Sequence, residues 1–389
     1  MLVIKNAKII LEEGIIWDGV VICEGERIIK VGKTKDVEIP EGAEIIDAAG
    51  KYVCPGFIDV HSHGGAKKWF HHDPEAAAAM HFAHGTTMVL PALYQSHTYE
   101  EMVEGAATIR EAKAKNGAAK IIGGLYMEGP FMNPKYGSDI KNCKWAGPID
   151  VEVMKRLVDA VGKDTMVWCV APEREDIEVF CKYAKENNPK VKFSMGHCEC
   201  KPWDAYKLKK YGLVNHTHHT NATAVVNPII PTNVGIRDVG PDEACLYDDD
   251  IYAELICDSM GIHVKPHMLK MVTKIKGIDK IILVTDYYPD DCEEPEGPIW
   301  GGEKAPDLGY DSAGWVCGSM MTMDAAVRNF MMHTGYGLVH SIKMATTNPA
   351  RMLGIDDQMG SIEEGKIANL LIIDDMVNVE KVIFQGEVQ

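Results

Sequence analysis

The sequence predicts an α/β protein, a (β/α)8 TIM barrel with a small β-sandwich domain built from both chain ends. Three observations predict it. Eight apolar, strand-like runs alternate with helical stretches in the middle of the chain. Short β runs occupy both ends, and residues that commonly bind metals follow several of the middle runs.

Length and composition limit the class of protein. The chain has 389 residues, of which 46% are hydrophobic and 25% charged, so it is not a disordered protein. It carries 40 Lys and Arg against 57 Asp and Glu, a net charge of −17, so we expect no nucleic-acid partner. No apolar run reaches the roughly 18–20 residues of a membrane span, and the first residues lack a signal-peptide pattern. Eleven scattered cysteines suit reduced thiols, and we expect a cytoplasmic protein.

The two chain ends resemble each other in pattern. Short β runs at 2–4, 9–11, 20–22 and 27–29 are separated by glycines, and similar runs follow at 368–374 and 379–384. Neither end is long enough to bury much apolar surface alone. We therefore predict that residues 1–54 and 356–389 pair into one small β-sandwich domain, with a catalytic barrel of residues 55–355 between them.

The middle of the chain alternates strands with helices. The predicted helices are 74–84, 100–115, 151–161, 176–187 and 265–276. An open, doubly wound sheet is the alternative, but its first strand usually leads into a glycine-rich phosphate turn, and here the first run ends in His61-Ser62-His63. The eight predicted strands are 57–63, 86–91, 120–128, 165–171, 191–197, 213–218, 252–258 and 280–286.

Five of these predicted strands end in the candidate metal ligands, which are histidines or carboxylates. His61 and His63 point the same way, because side chains alternate along a strand, and Asp59 lies beneath them. A lone His-x-His pair is more often coincidence than a ligand pair. All the candidates, however, fall at the same end of different strands, where barrel active sites lie. The predicted ligands of a divalent metal site are His61, His63, Glu128, His197, His218 and Asp286.

Other residues of ligand type have simpler interpretations. We interpret Cys198 and Cys200 as packing residues, because their spacing fits no common structural zinc pattern. His216 shares a strand face with His218 and is expected to support the ligands from the layer below. Zinc is the expected ion, in one or two copies, although imidazole and carboxylate ligands also suit Fe, Mn and Co.

At these positions the chain resembles the amidohydrolase superfamily and, within it, the N-acetylglucosamine-6-phosphate deacetylases. The run from Val53 to His63 is similar to the superfamily's opening motif, and short matching motifs continue in order through most of the chain. They include Met127-Glu128-Gly129-Pro130-Phe131, Gly196-His197, Thr217-His218 with Asn221-Ala222, Gly261-Ile262-His263-Val264, Val284-Thr285-Asp286, Gly318-Ser319 and Asn348-Pro349-Ala350-Arg351.

The resemblance implies a role for each matching residue. It implies one metal on Glu128, His197 and His218, and a second on His61 and His63, with Glu128 bridging and Asp286 nearby. It makes Asp286 the catalytic acid and base and implies a homodimer. Its implied substrate contacts are Asn221, Ala222, His263, Gly318 in a closing loop, and Arg237 as the phosphate ligand. His263 or His219 is also a candidate to hold the substrate carbonyl oxygen.

Departures from the family pattern all concern the substrate. The stretch 135–140 lacks the histidine that the family places there, and 287–294 is bulky and acidic where the family has small residues. Ser259 and Met260 are insertions, and His219 replaces an apolar residue. Carboxylates near the mouth would repel a phosphate dianion.

The predicted function follows from the ligands and the resemblance together. We predict a metal-dependent amide hydrolase, an N-acetyl amino-sugar 6-phosphate deacetylase that uses metal-activated water and Asp286 as acid and base. One alternative is an amidohydrolase of another amide, such as a non-phosphorylated N-acetyl sugar, an N-acyl amino acid or a cyclic amide. A non-catalytic metal-binding homologue is the other alternative.

Overall fold

The computed structural model describes residues 1–137, 143–225, 238–289, 305–311 and 314–389. The first five strands are β1 (Leu2–Leu11), β2 (Gly14–Glu24), β3 (Arg27–Lys33), β4 (Glu44–Asp47) and β5 (Tyr52–Pro55). The middle of the chain contains β6 (Phe57–Ser62), β7 (Gly64–Gly65), β8 (Lys68–Trp69), β9 (Thr86–Tyr94), β10 (Leu125–Glu128), β11 (Thr165–Val170), β12 (Lys192–Met195), β13 (Leu213–His216), β14 (Tyr252–Ile256) and β15 (Ile281–Val284). The last strands are β16 (Leu308–Tyr310), β17 (Val316–Ser319), β18 (Leu370–Ile373), β19 (Val379–Phe384) and β20 (Glu387–Val388).

The helices lie mostly between the middle strands. Short 3-10 turns occur at Thr34–Asp36, Ala118–Ile121, Lys209–Tyr211 and Ile278–Lys280. The α-helices are α1 (Pro74–Ala83), α2 (Tyr99–Ala114), α3 (Val151–Val161), α4 (Ile177–Asn187), α5 (Pro202–Tyr206), α6 (Pro241–Tyr247), α7 (Pro266–Lys276), α8 (Met323–Thr334), α9 (Leu338–Ala345) and α10 (Thr347–Leu353). All five helices predicted from the sequence are confirmed, with ends within one residue.

Eight parallel strands form the barrel sheet, in the order β6, β9, β10, β11, β12, β13, β14 and β15. Beyond the strand ends, the Asp286 amide donates to the His61 carbonyl at 2.9 Å, and the His63 amide donates to the Tyr287 carbonyl at 2.9 Å. These bonds join the first barrel strand to the eighth. Helices α1 to α8 each follow one barrel strand, so the predicted (β/α)8 fold is confirmed.

The barrel strands are nearly continuous apolar runs because both of their faces are buried. In β11, Trp168 and Val170 join an apolar cluster that includes helix residues such as Phe180, while Val167 joins a second cluster. Tyr126 of β10 also belongs to the second cluster. Glu128 lies two residues after Tyr126, so its side chain is on the same face of β10 and points into the barrel interior.

The chain ends meet in one mixed sheet of eight strands, as predicted for the small β domain. Its order is β20, β19, β18, β5, β1, β2 and β3, and β4 pairs with β1. Strand β18 pairs antiparallel with β5, which in turn pairs parallel with β1. This pairing joins the two termini across the barrel that separates them in sequence, whereas the boundaries at 54 and 356 stay predictions.

Among the described residues, no helix has both the length and the apolar character needed to cross a membrane.

Candidate metal centre and active site

Six side chains that the sequence predicts as ligands meet at one end of the barrel. His61 and Glu128 are among the last two residues of β6 and β10. His63 follows β6 by one residue, and the other three ligands follow their strands by two residues: His197, His218 and Asp286. All six are buried. Their ligand atoms form two groups, each with atoms within 4.8 Å of one another: His61, His63 and Asp286, and Glu128, His197 and His218.

Glu128 links the two groups. Its Oε1 lies 2.8 Å from His197 Nε2 and 3.1 Å from His218 Nε2. Its Oε2 lies 3.1 Å from His63 Nε2, which is itself 3.3 Å from Asp286 Oδ1. A carboxylate with one oxygen toward each group is placed to bridge two cations. The geometry is therefore suited to a pair of metal ions as well as to one.

The electrostatics of the cluster favour a cation. Burial alone would lower the pKa of His63, but the carboxylates of Asp286 and Glu128 raise it to about 9. For His61 they likewise outweigh burial and hold the pKa well above its usual value. Burial would raise the pKa of Glu128, yet the adjacent His197 and His218 hold it well below the usual range. Two buried carboxylates thus need positive charge beside them, which protons or a divalent ion can supply.

Three of the imidazoles are oriented by an acceptor behind the ring. His61 Nδ1 lies 3.3 Å from the buried carboxylate of Glu254. His197 Nδ1 lies 3.1 Å from the Tyr136 carbonyl, and His218 Nδ1 lies 3.2 Å from the Asn221 carbonyl. An acceptor at Nδ1 fixes the proton there and leaves Nε2 as the electron-pair donor, which is how metal-binding histidines are usually held.

The residues fit a divalent metal. His61 Nε2 is buried and makes no hydrogen bond among the described residues, and it lies 3.7 Å from both Glu128 Oε1 and Asp286 Oδ1. A bound ion would provide the missing partner. Four imidazoles and two carboxylates form a nitrogen and oxygen donor set of the type that zinc and similar ions take.

Three of the six residues have a strained backbone. His197, His218 and Asp286 have φ values of 44°, 30° and 43°, in the left-handed region that residues with a Cβ rarely adopt. Each follows a barrel strand within two residues. Strain of this kind concentrates at functional sites, where the surrounding structure holds a side chain in a required direction.

Asp286 is fixed by its neighbours in the chain and by a glycine loop. Thr285 donates through its hydroxyl to Asp59 Oδ2 at 2.6 Å, which ties the eighth strand to the first. The Ser319 amide donates to the Asp286 carbonyl at 2.9 Å. A Cβ on Gly318 would lie 2.4 Å from that carbonyl, and its φ is 79°, so only glycine fits this approach.

The predicted substrate contacts fall in different places. Asn221 and His263 are the candidates with the most structural support. Asn221 Nδ2 and His263 Nε2 are buried atoms without a hydrogen bond among the described residues, so each is available to a substrate. Ala222 has a φ of 54° in the same loop as Asn221. His219 instead turns its Nδ1 to His216, at 2.7 Å, in a separate buried group. Arg237 lies outside the described residues, so its phosphate contact stays a prediction.

Three aromatic rings lie close to the ring of His63. The ring of Tyr94 lies 5.3 Å from it, and those of Trp69 and Tyr288 lie 6.2 Å from it. Tyr287 is only 3% exposed, and its hydroxyl accepts from the Lys67 amide at 3.2 Å. Of the bulky segment 287–294, Tyr288 therefore stands beside the site and Tyr287 packs behind it, while residues 290–294 lie outside the described residues.

Glu254 is a residue of the candidate site that sequence reasoning missed. It lies in the middle of β14 and is 0% exposed. Besides contacting His61, its carboxylate accepts from the Tyr126 hydroxyl at 3.2 Å and from the Asn215 side-chain amide. A carboxylate inside the run Tyr252-Ala253-Glu254-Leu255-Ile256 is the sequence signal that could have found it, because an unpaired buried charge is costly.

Comparison with known proteins matches this chain to amidohydrolases. The model of the amidohydrolase family matches residues 276–388. The N-acetylglucosamine-6-phosphate deacetylase of Bacillus subtilis is 28% identical, and the match covers 100% of this chain and 96% of that protein. A shorter protein of Escherichia coli strain K12, provisionally named an N-acetylgalactosamine-6-phosphate deacetylase, is 33% identical over 40% of this chain and 93% of its own length.

A solved structure shares the whole architecture. The crystal structure of N-acetylglucosamine-6-phosphate deacetylase from Pasteurella multocida superposes with a TM-score of 0.83 at 27% identity. The match covers 100% of this chain and 99% of that one. The barrel and the sheet of both chain ends are therefore shared features.

Proposed function

Because the chain belongs to the amidohydrolase family, a family of hydrolases that act on amide bonds, we propose that it removes the acetyl group from an N-acetyl amino-sugar 6-phosphate. The observation that carries this proposal is the meeting of His61, His63 and Asp286 with Glu128, His197 and His218 around one pocket. The names of the relatives supply the substrate class, and zinc is the proposed ion, with one or both groups filled.

The proposed reaction is hydrolysis of an acetamide. A divalent ion held by the six residues would polarise the carbonyl and acidify water. Asp286, at the cluster's edge and 3.3 Å from His63, would accept a proton from the attacking water. It would then give that proton to the leaving nitrogen, so that the C–N bond breaks to a free amine and acetate. Without this delivery an amide nitrogen is a poor leaving group.

Two further side chains are proposed to hold the substrate. Asn221 Nδ2 is a buried donor with no hydrogen bond among the described residues, and it is available to a substrate oxygen. His263 is oriented by Asp258, whose Oδ2 lies 3.3 Å from its Nδ1, which leaves Nε2 free to meet the substrate. Ala222 and Gly318 shape the pocket through their backbones, and Arg237 is proposed to bind the phosphate. The chain is proposed to work as a homodimer, as the family resemblance implies.

A second candidate keeps the chemistry and changes the substrate. The aromatic group Trp69, Tyr94 and Tyr288 lies beside His63, and these three side chains carry no charge. It favours an amide that carries no phosphate, such as a non-phosphorylated N-acetyl sugar.

Paired assays separate the two candidates. Metal-loaded protein is given N-acetylglucosamine, N-acetylgalactosamine and the 6-phosphate of each, and released acetate is measured. We expect kcat/KM to be at least about 100-fold higher for a 6-phosphate than for its parent sugar, since a charge-assisted phosphate contact contributes a few kcal/mol. Equal values for the two forms would support the second candidate, and no acetate from any of the four would refute the deacetylase assignment.

A further inference from the structure

A second group of metal-binding side chains lies apart from the six ligands. His216 ends β13, His219 follows three residues later, and Cys245 lies on α6. Each residue offers one ligand atom, and the three atoms lie within 4.8 Å of one another. All three side chains are 0% exposed. We call His216, His219 and Cys245 the second histidine cluster.

The two rings of the second histidine cluster repeat a geometry of the predicted metal ligands. His216 Nδ1 and His219 Nδ1 lie 2.7 Å apart, with ring centroids 4.8 Å apart at 81°. His197 Nε2 and His218 Nε2 lie 2.9 Å apart, with ring centroids 4.7 Å apart at 71°. In both pairs the two rings meet edge to face, and one nitrogen of each ring points toward the other. A cation between them is the partner that such a pair is suited to bind.

Hydrogen bonds alone leave the second histidine cluster incomplete. If both rings are neutral, one Nδ1–H can donate to the other Nδ1, which satisfies only that pair of atoms. The Nε2 atoms of both rings are buried and make no hydrogen bond among the described residues. One of them would carry an unpaired N–H. If a metal instead binds both Nδ1 atoms, each Nε2 carries a proton and becomes a donor. The Asp242 carboxylate lies 3.8 Å from the Nε2 atom of His216.

We propose that His216, His219 and Cys245 bind a structural zinc ion, separate from the predicted catalytic metals. Imidazole nitrogen and cysteine thiolate are both ligand types that zinc takes. The sulfur and Asp242 would together balance the charge of the dication. Lys276 opposes binding, but its ammonium is held by the backbone carbonyls of Cys245, at 2.9 Å, and Asp248.

The ion would tie a barrel strand to the helix that follows it. His216 and His219 lie at the start of the connection between β13 and α6, and Cys245 lies within α6, the helix that follows this connection. The same connection carries Asn221 and Ala222, two of the proposed substrate contacts. A zinc ion at the second histidine cluster would therefore fix both ends of a substrate-binding loop without touching the substrate.

Cobalt provides a direct test, because Co²⁺ bound to a thiolate absorbs strongly in the near ultraviolet. The six predicted catalytic ligands include no cysteine, so this band reports the second histidine cluster and not the catalytic centre. Full-length protein is stripped of metal, loaded with Co²⁺ and recorded by absorption. We expect a thiolate-to-cobalt band in the wild type and its loss in Cys245→Ser.

Two matched variants locate the sulfur. Cys198 and Cys200 form another group with Glu173 whose ligand atoms lie within 4.8 Å of one another, so Cys198→Ser tests the competing position. Cys181→Ser removes a buried thiol on α4 that belongs to neither group. The band should persist in both controls. No band in the wild type, a band unchanged in Cys245→Ser, or a band lost in Cys198→Ser would each overturn the proposal.

A measurement on the wild type covers the case in which Cys245→Ser does not fold. X-ray absorption at the zinc edge of the zinc-loaded protein should show a sulfur neighbour at about 2.3 Å. A shell of nitrogen and oxygen alone would overturn the proposal. Neither readout depends on turnover, so the zinc site and the proposed deacetylase activity can fail independently.

Discussion

The Glu254 carboxylate lies 3.3 Å from Nδ1 of His61, and both side chains are 0% exposed. Glu254 also accepts from Tyr126 and from the backbone amide of His218, at 3.2 Å and 3.3 Å. One buried carboxylate therefore positions a predicted ligand from each of the two groups. It is a positioning residue, because it acts on the centre through His61 and His218.

Replacing Glu254 by Gln should weaken metal binding. The amide keeps the shape of the side chain but loses the negative charge that fixes the Nδ1 proton of His61. Loss of such a partner typically costs about 10–100-fold in metal affinity, which a competition titration with a chelator measures. Glu380→Gln, on the exposed edge of β19, is the control and should bind metal as the wild type does. Wild-type affinity in Glu254→Gln would show that His61 needs no such partner.

Asp286→Asn should separate catalysis from metal binding. The amide retains the side-chain volume next to His63 but cannot accept the proton of the attacking water. We expect a fall of roughly 100- to 10,000-fold in kcat, the range usual for a lost general acid or base. Elemental analysis should show metal content close to that of the wild type, since five of the six ligands remain. Full activity in this variant would contradict the role of Asp286.

The sequence was sufficient to predict the barrel and the meeting of the six candidate ligands, because both depend on local patterns. Apolar runs buried on both faces mark parallel strands, and parallel barrel strands end on one side, so His61, Glu128 and Asp286 had to be neighbours if the strands were right. The five predicted helices match to within one residue, and three of them, α1, α2 and α3, begin at a side-chain cap such as the Thr98–Glu101 capping box.

What the sequence did not predict depends on contacts between distant elements. Glu254 receives bonds from residues on β10 and β13, and nothing within its own strand indicates that convergence. His216 was expected to support the catalytic ligands, but its ring meets His219 instead. Cys245, the third member of that group, comes from α6, 26 residues after His219. The periodicity of a single segment cannot show which side chains of a helix pack against the end of a strand.

Metal binding should strengthen as pH rises. Without a cation the pKa of His63 is about 9, above its ordinary 6.5, so at neutral pH the ring holds a proton that the metal must displace. Glu128 has a lowered pKa and is already charged, so it adds no such competition. We expect affinity to rise by about tenfold per pH unit for each displaced proton, between pH 6 and about 9.

Calorimetric titration with Zn²⁺ measures both the affinity and the protons released. The same titration in buffers of different ionisation enthalpy gives the number of protons, which should be at least one at pH 7. His84→Ala, which removes a histidine paired with Asp324 away from the centre, should release as many protons as the wild type. Affinity and proton count independent of pH would contradict protonation of His63 in the metal-free protein.

Lys343 should stabilise the contact between the barrel and the terminal sheet. Its side chain is 2% exposed, and its ammonium lies 2.6 Å from Glu13 and 3.1 Å from Glu12, in the turn between β1 and β2. It also lies 2.5 Å from Asp279. We expect Lys343→Met to lower the free energy of unfolding at pH 7 by about 1.5–3 kcal/mol, the range for hydrogen bonds to charged groups. Urea denaturation measures it.

The loss of stability in Lys343→Met should depend on pH, because one partner of Lys343 is the carboxylate of Glu12. Hydrogen bonds from Arg351 and, to a smaller extent, from Lys343 lower the pKa of Glu12 below its ordinary 4.5. The charged Glu12 therefore stabilises the fold above pH 4.5, and this stabilisation is lost as the pH falls through the pKa that Glu12 has in the folded protein. The difference between wild type and Lys343→Met should therefore shrink below about pH 4.5. Lys182→Met, whose 67% exposed side chain lies 3.9 Å from Glu186, is the matched control and should change stability by less than about 0.5 kcal/mol. An equal effect of the two substitutions would show that Lys343 does not hold the sheet to the barrel.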